Sequence, residues 1–304
     1  MHDTAKPARA LFVGSGVALV TPFGGDGVNE EVLRELVRFH LREGTDALIV
    51  NGSTGEAPAM SAAEQRRAVE VVVDEAGRRV PVIAGAGGSD TAAVAGLARG
   101  AREAGADALL LAPPPYNKPP QRGIVAHFRH VMDAGGLPAI AYNVPGRTAC
   151  NILPETVELL AEDERIVGVK EASGDISQVA EVCRRVADRV AVYSGNDDQV
   201  VPLMALGGVG VISVLANVAP RDTARMAHAF LEGSVAEARS LQLRYLPLIA
   251  AIFREANPIP IKAAVEMLGF AVGHPRLPLV EISGAARDEL RDAMHALGID
   301  AAER

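Results

Sequence analysis

The stretch that decides the fold is Arg165-Ile-Val-Gly-Val-Lys170-Glu-Ala-Ser-Gly174, a short apolar run that ends in a lysine and a loop of small residues. Apolar residues bounded in this way by charge are typical of a buried strand in a parallel sheet. Lys170 then lies at the carboxyl end of that strand. A lysine removed from water loses its proton readily, and the free amine can condense with a ketone. The alternative is a lysine whose ammonium reaches solvent or the Glu171 carboxylate.

The same order of strand, loop and helix recurs along the chain. Eight apolar, β-prone segments precede polar loops and helical spacing of apolar residues, and they cover residues 11–21, 47–50, 80–84, 108–112, 137–142, 166–169, 190–193 and 208–213. This alternation predicts an α/β fold, the (β/α)8 or TIM barrel. An open doubly wound sheet is the structural alternative. No Gly-x-Gly-x-x-Gly follows the first strand, which weakens a dinucleotide-binding interpretation.

The strand rhythm stops after Ser213. Helical spacing continues over residues 220–232, 235–253, 259–268 and 283–297. We therefore expect two parts, a catalytic barrel over residues 1–219 and a C-terminal helical region over residues 220–304. Structural support or an oligomer interface is the default role of such an extension.

Composition excludes several classes of protein. The 304 residues are 49% hydrophobic and 22% charged, with a net charge of −8 and no run of Lys or Arg. Nucleic acid is therefore not expected as a partner. Residues 1–9 show no apolar leader, and no apolar run reaches the about 18 residues of a membrane span, so we expect no membrane segment. Cys150 and Cys183 lack metal-ligand spacing, so we expect free thiols, no metal and a cytoplasmic location.

Polar side chains gather where the predicted strands end. In a (β/α)8 barrel these ends meet at one face, which carries the active site. The loops concerned are Asn51-Gly-Ser-Thr-Gly-Glu56, Pro113-Pro-Pro-Tyr116-Asn-Lys-Pro119, Tyr142-Asn-Val-Pro-Gly-Arg147-Thr148, Lys170-Glu-Ala-Ser-Gly174 and Ser194-Gly-Asn-Asp-Asp198. Each is an acceptable turn by itself. Together they predict a functional site.

These groups can perform a reaction without a cofactor. The N–H groups of Ser53 and Thr54, in a glycine-flanked turn, suit a small carboxylate. Lys170 would form an imine with the adjacent ketone, and loss of a proton from the neighbouring carbon gives an enamine, which is a carbon nucleophile.

Proton transfer and a second substrate also have candidate residues. A hydroxyl chain of Ser53, Tyr142 and Tyr116 could carry the protons that imine chemistry requires. The Arg147 guanidinium matches a second carboxylate. No zinc or magnesium ligand set is present in the sequence, which disfavours a metal-dependent aldolase.

The run from Gly14 to Ser283 resembles the dihydrodipicolinate synthase and N-acetylneuraminate lyase family of class I pyruvate aldolases. The resemblance rests on Asn51-Gly-Ser-Thr-Gly-Glu56, Tyr116-Asn-Lys-Pro119, Tyr142-Asn-Val-Pro-Gly-Arg-Thr148, Gly168-Val-Lys-Glu-Ala-Ser-Gly174 and Gly210-Val-Ile-Ser213. It implies a (β/α)8 barrel with a C-terminal helical region, no cofactor, and a homotetramer made of two tight dimers.

The resemblance also implies roles for single residues. Lys170 would be the Schiff-base lysine and Tyr142 the centre of the proton relay. Ser53 matches the first relay hydroxyl, and Tyr116 the tyrosine that reaches a neighbouring subunit's site. The remaining implied pocket residues are Thr54, Arg147, Gly195 and the backbone carbonyl of Ile212.

The substrate is the harder inference. Arg147 resembles the synthase arginine that receives the carboxylate of aspartate semialdehyde, which implies condensation with pyruvate in lysine and diaminopimelate biosynthesis. Ser53 departs from the usual synthase threonine and is typical of the lyases. Alternatives are therefore a lyase of a 2-keto-3-deoxy sugar acid, 4-hydroxy-2-oxoglutarate or N-acetylneuraminate, and a pyruvate-binding homologue without turnover.

A last departure concerns regulation. Lysine-inhibited synthases resembling this chain use a glutamate and a tyrosine at the positions of Ala93 and Pro115. Loss of the carboxylate and of the stacking ring predicts insensitivity to lysine.

Overall fold

The computed structural model describes residue 7, residues 9–25 and residues 27–299. Most of residues 1–9, where no apolar leader was expected, lies outside the described part. Eight parallel strands form a closed barrel in the order β1-β10-β9-β8-β7-β6-β5-β4, and β2 and β3 form a separate short hairpin. The strands are β1 Gly14–Ala18, β2 Phe23–Gly24, β3 Gly27–Val28, β4 Ala47–Val50, β5 Val82–Ala86, β6 Ala108–Leu111, β7 Ala139–Asn143, β8 Ile166–Glu171, β9 Ala191–Ser194 and β10 Gly210–Ser213. The predicted (β/α)8 barrel is confirmed.

Helices follow the barrel strands and continue beyond them. They are α1 Glu30–Arg42, α2 Ala62–Ala76, α3 Thr91–Glu103, α4 Gln121–Gly135, α5 Pro145–Thr148, α6 Pro154–Leu160, α7 Ile176–Val186, α8 Val200–Ala205, α9 Pro220–Leu231, α10 Val235–Ile252, α11 Ile259–Met267 and α12 Gly284–His295. Local chemistry fixes several starts. Ser61 and Glu64 form a capping box at α2, and the Asp175 carboxylate accepts from Ser177 N–H at α7.

Some predicted strand limits were wrong for a backbone reason. The strands predicted from residues 80 and 137 begin at Val82 and Ala139 instead. Pro81 and Pro138 have no N–H to donate to the ladder, so regular pairing starts after each proline. The strand predicted over residues 11–21 is confined to Gly14–Ala18.

Aromatic stacking closes the barrel interior at the end where the strands begin. Phe12, just before β1, stacks on Tyr193 of β9 with ring centroids 4.4 Å apart. The Tyr193 hydroxyl donates to the Phe12 carbonyl at 2.7 Å. This plug leaves the opposite end, where the strands finish, free to hold a pocket.

The C-terminal helices pack against the barrel. Helix α9 contacts both β1 and β10. Helices α9 to α12 share a buried apolar cluster with Val20, Leu36 and Val200 of the preceding part. None of the helices in the described residues is long and apolar enough to cross a membrane.

Candidate active site

Lys170 occupies the carboxyl end of β8 beside Tyr142 of β7. The two residues are partners in the strand register, and the Nζ of Lys170 lies 4.3 Å from the centroid of the Tyr142 ring. The lysine is only 4% exposed. Burial lowers its pKa to about 7, an effect that Asp197 opposes and Arg147 reinforces. A large fraction of the amine is therefore neutral near pH 7, and the neutral amine attacks carbonyl carbon.

Glu171 does not pair with Lys170. Its Oε1 accepts from the N–H of Ser173 at 2.8 Å, and both carboxylate oxygens accept from Asn143 Nδ2, at 3.2 and 3.1 Å. Successive side chains of a strand face opposite sides, which separates the two neighbours. The geometry thus excludes the alternative in which the Lys170 ammonium reaches solvent or Glu171.

The loop after β4 brings Ser53 to Tyr142. Both residues line the same cavity. Burial raises the pKa of Tyr142, while Arg147 and the Ser53 hydroxyl oppose the shift. The phenol therefore keeps its proton near neutral pH, and a second hydroxyl lies on the same cavity wall.

Thr54 and Arg147 are joined by Asn257, which precedes α11. The Thr54 Oγ1 accepts from Asn257 Nδ2 at 3.0 Å, and Arg147 Nη2 donates to the Asn257 carbonyl at 3.2 Å. Within the described residues, no hydrogen bond is formed by the N–H of Ser53 or Thr54, which leaves both free for a carboxylate. Sequence reasoning assigned Asn257 no role, although it stands in the family-like run Asn257-Pro-Ile-Pro-Ile-Lys262.

Asp197 was also missed. Its buried carboxylate accepts from Ser213 Oγ at 2.5 Å and from the N–H groups of Val214 and Leu215, both at 3.0 Å. Burial raises the pKa of Asp197, and these hydrogen bonds oppose the shift. The Asp197 carboxylate acts electrostatically on Lys170 and raises its pKa, against the effect of burial. Its signal in the sequence was its place in the loop that follows a strand end.

A cavity of about 80 Å³ lies among these groups. That volume suits a ligand of a few non-hydrogen atoms, since a water needs only about 10–15 Å³ on this scale. The walls include Ser53, Thr54, Tyr142, Arg147, Lys170, Gly195, Val214, Phe253 and Asn257. The structure thus brings together six of the eight predicted site residues.

The neighbours of Gly195 leave no room for a side chain at this position. A Cβ at this position would lie 2.6 Å from Ala172 Cβ and 3.0 Å from Lys170 Cε. Ile212 is buried on β10, and the nearby cavity wall is provided by Val214.

Tyr116 is not brought to the cavity of its own chain. It has a positive φ of 69° and is 89% exposed. A tyrosine held outward in this backbone conformation has its hydroxyl available to a group outside the chain.

Metal-ligating side chains do not cluster in the described part of the chain. No group of three or more His, Cys, Asp or Glu residues there could hold a metal ion. Both cysteines are buried free thiols.

Comparison with known proteins decides the family. The model of the dihydrodipicolinate synthetase family matches residues 11–297. This chain belongs to the dihydrodipicolinate synthetase family. The family predicted from the sequence motifs is therefore confirmed.

Relatives and solved structures in this family are similar over nearly the whole chain. The 4-hydroxy-tetrahydrodipicolinate synthase of Thermoanaerobacter sp. (strain X514) is 50% identical over 95% of this chain and 98% of its own length. That of Caldicellulosiruptor bescii is 48% identical over 97% and 100%. The dihydrodipicolinate synthase structure from Aquifex aeolicus has a TM-score of 0.92 and 40% identity over 95% of this chain and 99% of that one. The Cyanidioschyzon merolae structure with lysine bound gives 0.92 and 41% over the same shares.

Proposed function

We propose that this chain is a 4-hydroxy-tetrahydrodipicolinate synthase, which condenses pyruvate with L-aspartate 4-semialdehyde in lysine and diaminopimelate biosynthesis. The observation that carries the proposal is the buried Lys170 amine, with a pKa near 7, in register with Tyr142. The names of the relatives, at 45–50% identity, support the synthase.

The first half of the reaction takes place on pyruvate. The free N–H groups of Ser53 and Thr54 receive the pyruvate carboxylate. The Lys170 amine adds to the ketone carbon, and Tyr142 delivers the proton with which the former carbonyl oxygen leaves as water. The product is an imine. The Tyr142 phenolate left by that step takes a methyl proton, the C–H electron pair moves into a carbon–carbon double bond, and the imine nitrogen becomes the enamine nitrogen.

The second half uses the semialdehyde. Arg147 binds its carboxylate, which places the aldehyde carbon against the enamine. The enamine carbon forms the new carbon–carbon bond, the aldehyde oxygen takes the proton from the Tyr142 phenol, and the imine is restored. The amino group of the second substrate then attacks the imine carbon, and Lys170 leaves as the free amine with the ring closed.

Assembly and cell location complete the proposal. Tyr116 is exposed in its own chain, and we place its hydroxyl in the relay of a neighbouring subunit, in a homotetramer built from two tight dimers. Residues 1–219 form the catalytic barrel and residues 220–304 the helical region that supports it. Buried free thiols fit the cytoplasm, whose reducing conditions preserve them.

A second candidate is favoured by Ser53 alone. A serine at this relay position is typical of the lyases that release pyruvate from sugar acids or from 4-hydroxy-2-oxoglutarate. The Ser53 hydroxyl lines the same cavity as Tyr142, so the relay is compatible with either reaction.

Two experiments test these functions. Borohydride reduction with pyruvate, followed by peptide mapping, should give one adduct on Lys170, with the exposed Lys118 as the internal control. An adduct that survives in Lys170→Ala would contradict the assignment of the lysine. Pyruvate is then offered with a panel of aldehydes, and aspartate semialdehyde should give the highest kcat/KM. A higher value for a sugar-derived aldehyde would favour the lyase.

A further inference from the structure

The C-terminal region is tied to the catalytic loop by a buried ion pair. The Nζ of Lys262, on α11, lies 2.7 Å from Oε1 of Glu56, and each side chain is 1% exposed. Glu56 ends the loop that carries Ser53 and Thr54, and its N–H donates to the Ser53 carbonyl at 3.2 Å. The pair therefore connects α11 to the backbone of the proposed relay residue.

The other atoms of the pair are also bonded. Oε2 of Glu56 accepts from the N–H of Arg276 at 2.8 Å, and Lys262 Nζ donates to the His274 carbonyl at 3.2 Å. The Phe23 ring lies 4.2 Å from Lys262 Nζ and 4.0 Å from Arg276 Cζ. A buried network whose members are all satisfied is rigid and defines one arrangement.

The same region holds the loop at a second point. Asn257 donates to the Thr54 hydroxyl at 3.0 Å. Between the two attachments, the Gly55 carbonyl accepts from Thr21 Oγ1 at 2.7 Å. The loop is thus restrained at three successive residues by segments far away in the sequence.

Stability is a poor reason for such a pair. Removing two charges from water costs about as much as their attraction returns, and an apolar pair of similar volume is often as stable. Placement is a better reason, because a displacement of about 1 Å at a reacting group can cost a factor of about 100 in rate.

We propose that Glu56 and Lys262 are positioning residues that hold Ser53 and Thr54 in the geometry needed for catalysis, which makes the C-terminal helical region part of the active site. The proposal rests on the proposed function, since it concerns the rate of that reaction.

The test separates stability from placement. Lys262→Met leaves the Glu56 charge buried without its partner, so both the melting temperature and kcat should fall. The double variant Glu56→Gln with Lys262→Met removes both charges and keeps an oxygen for the N–H of Arg276. It should regain the melting temperature of the unmodified chain, while kcat stays lower by about tenfold or more. Pyruvate and borohydride should still label Lys170 fully.

Controls and contrary outcomes are as follows. Glu266→Gln, also on α11, removes a partly exposed ion pair with Arg287 and should leave kcat unchanged. A double variant with the original stability and kcat within about twofold would overturn the proposal. Should the double variant fail to fold, Lys262→Arg retains a charged donor and should turn over faster than Lys262→Met. Equal kcat values for these two single variants would also overturn it. Absence of a pyruvate adduct in the unmodified chain would instead reject the proposed function.

Discussion

Lys170 and Lys262 are both buried, but only Lys262 has a carboxylate partner, Glu56 at 2.7 Å. Lys170 forms no ion pair with any residue of the described part and faces the Tyr142 ring. Burial lowers the pKa of both lysines, and for Lys262 the Glu56 carboxylate opposes the shift. The two lysines therefore have different surroundings. Glu56 favours the charged form of Lys262, whereas Lys170 contacts no carboxylate of the described residues, as its proposed reaction as an amine requires.

The rate of imine formation should depend on the protonation of Lys170. Its pKa is lowered to about 7, so the reactive neutral form increases as the pH rises through 7. We expect the rate of borohydride-trapped adduct formation to rise about tenfold for each pH unit below 7 and to level off above it. Trapping with pyruvate between pH 5.5 and 9 measures this. A rate that still rises about tenfold per unit up to pH 9, as the ordinary lysine pKa of about 10.4 requires, would contradict the shift.

The Ser53 and Tyr142 hydroxyls should matter for proton transfer. Tyr142→Phe removes the proton donor but keeps the ring against Lys170, so kcat should fall by about 100- to 10,000-fold. Ser53→Ala should also lower kcat, while Ser53→Thr keeps the hydroxyl and serves as the matched control. Steady-state rates with both substrates provide the comparison. Equal kcat values for the alanine and threonine variants would remove Ser53 from the relay.

Gly195→Ala should displace Lys170. The added Cβ would lie 2.6 Å from Ala172 Cβ and 3.0 Å from Lys170 Cε, and both distances are too short for carbon atoms. Imine trapping and turnover should both fall by about tenfold or more. Gly284→Ala adds a Cβ with no atom within 4 Å and should have no effect. Normal trapping in Gly195→Ala would show that the site relaxes around the methyl group.

Arg147→Ala should mainly affect the second substrate. A charged hydrogen bond contributes about 1.5–3 kcal/mol, which corresponds to a fall in kcat/KM for aspartate semialdehyde of about 10- to 100-fold. The KM for pyruvate should change little, because the Ser53 and Thr54 amides remain. Initial rates with each substrate varied in turn make the distinction. An unchanged kcat/KM for the semialdehyde would reject this role of Arg147.

Lysine should not inhibit this enzyme. The positions that supply a glutamate and a tyrosine in lysine-inhibited synthases are Ala93 and Pro115 here. A cationic ligand would lack both a carboxylate and an aromatic wall. Initial rates should be the same without lysine and with lysine at up to about 5 mM, a concentration that would saturate a site of sub-millimolar affinity. Half-inhibition below about 1 mM would contradict the prediction.

Local patterns in the sequence determined the barrel and the chemistry of its loops. Eight apolar segments followed by helical spacing were sufficient for the (β/α)8 fold, because strand and helix periods are local properties. The motif residues Lys170, Tyr142, Ser53 and Arg147 were predicted as one site, since the strands of a barrel all end at the same face. Two strands begin later than their apolar segments predicted, because a proline near the start of each segment has no N–H to donate.

Contacts between distant segments were decided only by the tertiary structure. The lowered pKa of Lys170 results from burial by several strands, and no run of neighbouring residues reveals it. Asn257 reaches Thr54 across 203 positions of the chain, and Lys262 reaches Glu56 across 206. Such pairings depend on how the C-terminal helices pack over the end of the barrel. The sequence by itself therefore predicted which side chains form the candidate site, and the fold decided what holds them in place.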